Sequence, residues 1–186
     1  VYAGGPVAQG LALRVNAERS HVNPVALRED RRYSEIEGRR STSGSLSARY
    51  ALNARHTFEA GIQHGSEDRF YDDVARSARA TPYQNTYKVN RDHGYGQWNG
   101  VFGNDVKAQL RAYRSAIGVS THRTNGVAPT RPQDMRDVVG DGFVQWRMGS
   151  HRLTAGGEWR REKLINAGLT GGKDSATHKA LFAQDE

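Results

Sequence analysis

Residues 106–113, VKAQLRAY, alternate without interruption between small or aliphatic side chains and larger polar ones. The even-numbered positions carry the apolar set, Val106, Ala108, Leu110 and Ala112, and the odd-numbered positions carry Lys107, Gln109, Arg111 and Tyr113. Successive side chains of a β-strand point to opposite faces. A period of two therefore predicts a strand with one apolar and one polar face.

The same period recurs along the chain, whereas a helical period of 3.6 does not. The further alternating runs are Leu11–Ala17, Leu46–Leu52, Phe58–Ile62, Val144–Met148 and Leu153–Trp159. Two additional strands are predicted over residues 87–99 and 178–186, where apolar residues occur in both phases. The orientation of these two strands stays open at the level of sequence.

The connections between the runs alternate in length. Short turns rich in Gly, Asn or His are predicted at Asn53–His56, Gly100–Asp105 and Gly149–His151, with another over residues 4–10. Long polar connections are predicted at Asn23–Arg40, Tyr71–Thr86, Thr121–Asp137 and Asn166–Thr177. We predict an all-β, antiparallel up-and-down meander of about eight strands, with residues 1–186 forming a single segment. Short turns on one edge and long loops on the other are typical of outer-membrane β-barrels.

The composition limits the classes of membrane protein and of binding partner that fit the chain. Apolar residues make up 36% of the chain and the mean hydropathy is −0.79, which excludes a membrane-spanning helix but not a barrel with a polar lumen. The chain begins with Val1 and ends with Glu186 inside a strand-like run, so we expect both ends to continue into further strands. The net charge of +7 admits nucleic acid, anionic lipid or an anionic ligand as partner.

Three tryptophans, Trp98, Trp146 and Trp159, lie near predicted strand ends or beside polar loops. Aromatic residues form girdles at the two membrane interfaces of a transmembrane barrel. A strand of about 10 residues, tilted by about 40°, would climb roughly 25 Å, the height of the apolar band. These three residues are therefore predicted to contact the membrane interface.

No enzymatic chemistry is indicated. The seven histidines show no HxxxH spacing, and there are no cysteines to complete a metal site. No GxSxG elbow positions a nucleophile, and Gly94–Gly100 does not form a dinucleotide fingerprint. We expect no catalytic residues, no resident metal and no cofactor.

Arginines concentrate in the predicted long connections. Guanidinium groups bind delocalised oxyanions and stay charged at every relevant pH. With the aromatic residues Tyr33, Phe70, Tyr71, Tyr83 and Tyr87 nearby, these connections could attract a bulky aryl anion. The predicted anion-binding residues are Arg28, Arg31, Arg32, Arg39, Arg69, Tyr71, Arg79, Arg123 and Arg131.

Several segments resemble TonB-dependent receptors in order along the chain. His151–Trp159 (HRLTAGGEW) and Ala180–Glu186 (ALFAQDE) resemble a strand pair of that family, and Gly4–Val15 resembles an early turn and strand. Tyr95–Gly100 and Gln109–Tyr113 are similar to the middle hairpins of the ferric-enterobactin and colicin I receptor group.

This resemblance implies a 22-stranded transmembrane barrel in the outer membrane of a Gram-negative bacterium, of which these residues would form roughly the third to tenth strands. It also implies a plug domain outside these residues, through which TonB delivers energy. The implied cargo is iron arriving as a ferric siderophore, and the surrounding outer-membrane lipid, including lipopolysaccharide, is an expected contact.

Two rival hypotheses come from other classes. A self-contained eight-stranded barrel could serve as an adhesin or structural membrane protein. A soluble basic β-protein could bind nucleic acid, but it would gather basic and aromatic residues on one sheet face. The alternation instead separates an apolar face from a face of mixed charge, which favours lipid on one side and water on the other, and no nucleic acid.

Overall fold

The computed structural model describes residues 1–27, 29, 32–76 and 79–186. These residues form nine strands: β1 (Tyr2–Ala8), β2 (Leu11–Val22), β3 (Gly38–Asn53), β4 (His56–Val74), β5 (Pro82–Phe102), β6 (Val106–Arg123), β7 (Gln133–Met148), β8 (His151–Asn166) and β9 (Lys173–Asp185). One 3-10 turn, Thr170–Gly172, precedes β9. No helix in the described part of the chain is long and apolar enough to cross a membrane.

The nine strands make one sheet in which every strand pairs antiparallel with its neighbours in sequence. This arrangement confirms the predicted up-and-down meander. Within the described residues β1 and β9 are the two edges of the sheet. The sheet therefore presents two rows of backbone hydrogen-bonding groups that a further strand could pair with.

The ninth strand arises at the beginning of the chain. Residues 4–10 were predicted to be a turn, but Tyr2–Ala8 is a strand paired with β2, and only residues 9–10 turn. Pro6 lies inside this strand opposite Ala12. Proline has no backbone N–H to donate and is tolerated on an edge strand, which is where β1 lies.

The strands extend further than the alternating runs suggested. β4 has 19 residues and β5 has 21, so the longer connections shrink to residues 23–37, 75–81, 124–132 and 167–172. The turns on the other edge cover residues 9–10, 54–55, 103–105 and 149–150. The predicted asymmetry is confirmed, and we name the two sides the short-turn edge and the long-loop edge.

The register aligns the apolar positions of neighbouring strands. One row of directly paired residues crosses eight strands: Leu11, Tyr50, Phe58, Trp98, Leu110, Gly142, Gly157 and Leu181. Paired residues of adjacent strands share a face, so this row defines the apolar face of the sheet. It also settles the two open orientations, since Trp98 and Leu181 lie on the apolar face and Val89 and Phe182 on the polar face.

The same row reveals that the strands are staggered. It crosses β2 at Leu11, the first residue of that strand, and crosses β7 at Gly142, well before the last residue, Met148. Such a progressive shift is what tilted strands of a barrel require. On β2, β6 and β8 the first Arg side chains on the apolar face, Arg19, Arg114 and Arg161, lie about ten residues from the short-turn edge, which corresponds to roughly 25 Å for tilted strands. We call the part of the apolar face between these charged side chains and the short-turn edge the apolar band. The edge strand β9 differs, because Asp185 and Lys179 share the face of Leu181.

Few side chains are enclosed. Among the described residues the buried apolar ones are Phe70, Tyr83 and Val139, whereas Ile62 is 65% and Leu110 59% exposed on the apolar face. A contiguous apolar surface of this kind marks an interaction surface rather than a finished exterior. The sheet is therefore amphipathic, with its apolar side uncovered.

Candidate anion-binding surface

Opposite charges alternate across the polar face at the level of the apolar band. Arg49 on β3 contacts Glu59 on β4 at 3.4 Å. Further along, Arg111 on β6 contacts Asp141 on β7 at 3.0 Å. These pairs keep the polar face hydrated and close to neutral, as the wall of an aqueous lumen would be.

Beyond the apolar band, toward the long-loop edge, the polar face becomes rich in arginine and tyrosine. Arg39, Arg69 and Tyr87 are directly paired in register on β3, β4 and β5. In the next row on the same face, Tyr71 pairs with Asn85, which pairs with Arg123. We call the set Arg39, Arg69, Tyr71, Tyr87 and Arg123 the arginine–tyrosine cluster.

Ring contacts fix the aromatic part of this cluster. The rings of Tyr71 and Tyr87 stack with centroids 6.2 Å apart and an interplanar angle of 26°. The guanidinium of Arg123 lies over the ring of Tyr83 at 5.4 Å. Stacked tyrosines present a rigid aromatic surface with hydroxyl groups at its rim, which suits an aryl ligand.

Arg123 is held in place by two acceptors. Its Nε donates to Oδ1 of Asn85 at 2.8 Å, and its Nη1 donates to the carbonyl oxygen of Ala128 at 3.0 Å. Asn85 is completely buried, and its Nδ2 has no hydrogen-bond partner among the described residues. Arg123 therefore joins the strand to the following loop while its guanidinium lies over the ring of Tyr83.

One carboxylate moderates the positive charge of the cluster. Nε of Arg69 donates to Oε1 of Glu67 at 2.5 Å, and this hydrogen bond lowers the pKa of Glu67.

Burial, followed by the hydrogen bond to Asp73, raises the pKa of Tyr83, so this phenol stays protonated and donates to Asp73 Oδ2 at 3.0 Å. Burial likewise raises the pKa of Tyr71.

Arg39 differs from Arg69 and Arg123. No hydrogen bond or ion pair reaches its exposed guanidinium from the described part of the chain. It faces Arg69 directly across the strand pair. Two arginines in directly paired positions, one of them without an acceptor among the described residues, form a suitable position for a delocalised anion.

The predicted residues divide into three groups. Arg39, Arg69, Tyr71 and Arg123 were placed in loops by the sequence, but they lie on extended strands and come together on one face. Arg32, Arg79 and Arg131 do lie in loops and are exposed, and Nη1 of Arg131 donates to the carbonyl oxygen of Ala167 in another loop at 3.2 Å. Arg28 and Arg31 fall outside the described residues.

Phe70 was grouped with the aromatic ligand surface, and this placement is wrong. Phe70 follows Arg69 in β4 and therefore points to the opposite face. There it is buried, stacks on His21 at 6.4 Å and lies beneath the guanidinium of Arg40 at 4.9 Å. It anchors the outer side of the strands instead of contributing to the cluster.

All three tryptophans lie on the apolar face. Trp146 is close to the short-turn edge, and Trp98 lies nearby in an aromatic group with His56 and Phe102. Trp159 is not near a strand end, because β8 continues to Asn166. It lies instead where the apolar band meets charged residues, with Arg161 next on the same face. Their contact with a membrane interface stays a prediction.

Sequence reasoning overlooked the charged residues that occupy apolar-phase positions. Arg114 and Arg161 follow Ala112 and Trp159 by two residues and so share their face. The signal was present in the alternation, as a charge where the pattern calls for an apolar side chain. No group of three or more metal-ligating side chains occurs among the residues that the structure describes.

Comparison by sequence finds no matching protein-family model and no matching curated protein. Comparison of folds does find solved structures of similar fold. Two crystal structures of variants of the ferric enterobactin receptor of Pseudomonas aeruginosa match with TM-scores of 0.75 and 0.68, at 17% and 15% identity, over 99% and 98% of this chain. The ferric preacinetobactin receptor of Acinetobacter baumannii matches with a TM-score of 0.63 at 9% identity over 95% of the chain.

The chain spans about a third of the length of each receptor, 33%, 33% and 35%. At these identities the likeness concerns the fold. The matches cover nearly all of the chain, and both receptors are β-barrel proteins. The chain therefore has the fold of a nine-stranded section of the barrel of these receptors.

Proposed function

We propose that the chain is part of the barrel wall of a TonB-dependent outer-membrane receptor that imports an anionic ferric chelate, probed most directly with a ferric catecholate. The observation that carries the proposal is the arginine–tyrosine cluster, which joins two adjacent guanidinium groups to stacked phenol rings at the long-loop edge. A ferric catecholate is both aromatic and negatively charged, so it matches both parts of this surface.

The uncovered apolar face supports a membrane location. Ile62, Leu110 and Leu181 are 65%, 59% and 92% exposed. Burial of such side chains in hydrocarbon is favourable at about 25 cal/mol per Å² of apolar surface removed from water. A Gram-negative outer membrane would provide that environment for an antiparallel barrel.

The open edges of the sheet favour a large barrel over the self-contained small one. β1 and β9 do not pair with each other among the described residues. β9 is a 13-residue edge strand with every residue exposed and without proline. Such an edge invites pairing, and in our proposal further strands of a 22-stranded barrel cover it, with residues 1–186 as one continuous segment.

The apolar face also argues against the soluble nucleic-acid-binding protein. Arginines and tyrosines do gather on one face, but at the level of the apolar band Arg49 and Arg111 are paired with carboxylates. A binder of phosphate chains would leave such cations available. The opposite face would remain an uncovered apolar surface in water.

In the proposed mechanism the chain binds cargo without chemical change. Arg39 and Arg69 would contact oxyanions of the chelate, while Tyr71 and Tyr87 would pack against its aryl rings. Arg123 would hold the rim of the site by linking Asn85 to the adjoining loop. Passage would then depend on a plug and on TonB, both outside these residues, with iron carried as cargo and no resident cofactor.

Binding of ferric enterobactin to the complete receptor tests the proposal. We expect saturable binding of this anionic tris-catecholate, and much weaker binding of a neutral ferric hydroxamate of similar size. Uptake of radiolabelled iron by cells should require both the receptor and TonB. Equal binding of both chelates would contradict the anionic cargo, and uptake that persists without TonB would contradict the receptor class.

A further inference from the structure

Opposite charges lie side by side at the outer border of the apolar face. Asp92 on β5 contacts Nδ1 of His64 through its Oδ1 at 2.7 Å, and its side chain is 63% exposed. Arg114 on β6 and Arg136 on β7 share this face. No hydrogen bond, ion pair or ring contact reaches either arginine from the residues that the structure describes. The carboxylate on β5 and the two cations on β6 and β7 are therefore not joined to each other within one chain.

Two glycines interrupt the apolar side chains beside these charges. Gly94 pairs with Ile62 on β4 and with Arg114 on β6, and Gly96 follows on the same face. A Cβ at Gly94 would meet nothing closer than 3.8 Å, and a Cβ at Gly96 would meet nothing within 4 Å. The packing of the chain itself therefore requires glycine at neither position. Because glycine weakens a strand and often marks a close approach of another backbone, these two positions indicate a neighbour outside the chain.

The aliphatic side chains next to the glycines project from the face. Leu46 on β3 and Ile62 on β4 are paired in register, and they are 44% and 65% exposed. On β6 the residue that pairs with Gly96 is the small Ala112. Projecting side chains on β3 and β4 thus adjoin a depression over β5 and β6. Two copies related by a two-fold rotation can interlock through such a surface, since each copy supplies both the projection and the depression.

We propose that this face binds a second copy of the receptor within the membrane, around a two-fold axis that is normal to the membrane and passes Gly94. Strands tilted by about 40° place Asp92 on one side of this axis and Arg114 and Arg136 on the other. Asp92 of each copy then faces the two arginines of the other copy. The proposal rests on the membrane placement given under the proposed function, but not on the identity of the cargo.

The arrangement fits the shape of the face as well as its charge. Ile62 of each copy packs over Gly96 of the other, where a larger residue than glycine would leave no room. The four strands β3 to β6, about 4.8 Å apart, and an apolar band roughly 25 Å high give about 500 Å² on each copy and roughly 1,000 Å² in total, the lower limit of specific interfaces. In lipid, association depends on close packing and polar pairs rather than on apolar burial, and this surface offers both.

A lipid accounts less well for these features. An acyl chain carries no charge that matches Asp92 or the arginines. An anionic head group would be attracted by Arg114 and Arg136 but repelled by Asp92, which lies in the same row as Arg136. A second copy presents a carboxylate to the arginines and arginines to the carboxylate, so it complements both signs of charge.

Energy transfer between donor-labelled and acceptor-labelled copies of the complete receptor in lipid vesicles tests the proposal. We expect the parent protein to form dimers that dissociate as lipid is added. Asp92→Arg and Arg114→Asp/Arg136→Asp should each weaken self-association at least about tenfold, because like charges then face each other. A mixture of these two variants should associate as well as the parent does, because every carboxylate again faces a cation.

A steric variant tests the position of the axis. Gly96→Leu has room within its own chain, since the paired residues Ala60 and Ala112 are small, and it should weaken self-association at least about tenfold by overpacking the contact. Gly140→Leu is the matched control on β7, where a Cβ would also meet nothing within 4 Å. It lies outside the four strands of the contact and should leave self-association unchanged.

Three results would overturn the proposal. They are energy transfer in the parent no greater than random proximity produces, equal effects of the two glycine variants, or no recovery in the mixture of charge variants. The last two would show that lipid, and not a second copy, covers this face. Ferric enterobactin binding does not enter these measurements. Its absence in the parent protein would contradict the proposed cargo, whereas absence of energy transfer concerns the contact between copies alone.

Discussion

Arg39 of β3 lies directly opposite Arg69 of β4 on the polar face of the sheet. Like charges in such cross-strand positions are destabilising by a few tenths of a kcal/mol to about 1 kcal/mol. Glu67 forms an ion pair with Arg69 and offsets part of the charge of both arginines, but no hydrogen bond or ion pair reaches Arg39 from the described residues. The pair is arranged for an anion that bridges both guanidinium groups.

Removing this pair should weaken chelate binding. For Arg39→Gln/Arg69→Gln in the complete receptor we predict about tenfold lower affinity for ferric enterobactin, because two charge-assisted contacts of roughly 0.7 kcal/mol each are lost. Arg114→Gln/Arg161→Gln removes the same charge from the other face and serves as control. Fluorescence quenching titrations measure both, and an equal effect of the two variants would show that only overall charge matters.

Releasing Arg69 from its carboxylate should have the opposite effect. Glu67→Gln removes the charge whose pKa Arg69 lowers by hydrogen bonding. The freed guanidinium should raise affinity for the anionic chelate by about two- to fivefold, the range expected for a partly exposed ion pair. Equilibrium binding at neutral pH and low salt is the measurement, since salt screens the gain. Unchanged affinity would place the ligand away from Arg69.

Arg69 and Phe70 show which features of the structure could be predicted from the sequence and which could not. The alternation around Leu110 was sufficient to predict strands, their order and the apolar face. It could not predict where strands end, because polar residues such as Arg69 and Tyr71 continue a ladder as readily as they form a loop. β4 and β5 therefore include residues that were expected in loops because of their polar composition.

The register between neighbouring strands was the second feature that the sequence did not predict. A pattern gives the face of a residue within its strand, but the cross-strand partner depends on turn length and stagger. Arg39, Arg69 and Tyr87 became one cluster only once three strands were aligned. Phe70 has the same parity as Ile62, so the alternation, continued along β4, places it on the apolar face.

A close approach of strands makes Gly142 on the apolar face sensitive to substitution. A Cβ at Gly142 would lie 2.8 Å from the backbone oxygen of Gln109 and 2.6 Å from Cδ2 of Leu110, whereas a Cβ at Gly140 would meet nothing within 4 Å. We predict that Gly142→Ala destabilises the barrel by about 1–3 kcal/mol through overpacking. Gly140→Ala should be nearly neutral. Urea unfolding in lipid vesicles compares them, and equal stabilities would contradict this register.

Adjacent residues of β6 separate lipid from water. Leu110 lies on the apolar face, 59% exposed, and Gln109 on the polar face. Leu110→Arg should therefore cost about 2–4 kcal/mol of stability in vesicles, because arginine would enter hydrocarbon. Gln109→Arg should cost little, since its side chain faces water. Folding yields and unfolding midpoints test the difference, and a larger penalty at Gln109 would reverse the faces.

The central claim is that the apolar face of this sheet contacts membrane lipid and the polar face lines water. The chain contains no cysteine, so single cysteines introduced at residues 106–113 can carry spin labels without interference from the rest of the chain. In the complete receptor in vesicles, labels at even-numbered positions should collide mainly with oxygen dissolved in lipid. Labels at odd-numbered positions should collide mainly with an aqueous nickel complex. A period of two in this phase is the result we predict; access of the nickel complex to all eight positions, or the opposite phase, would contradict the account.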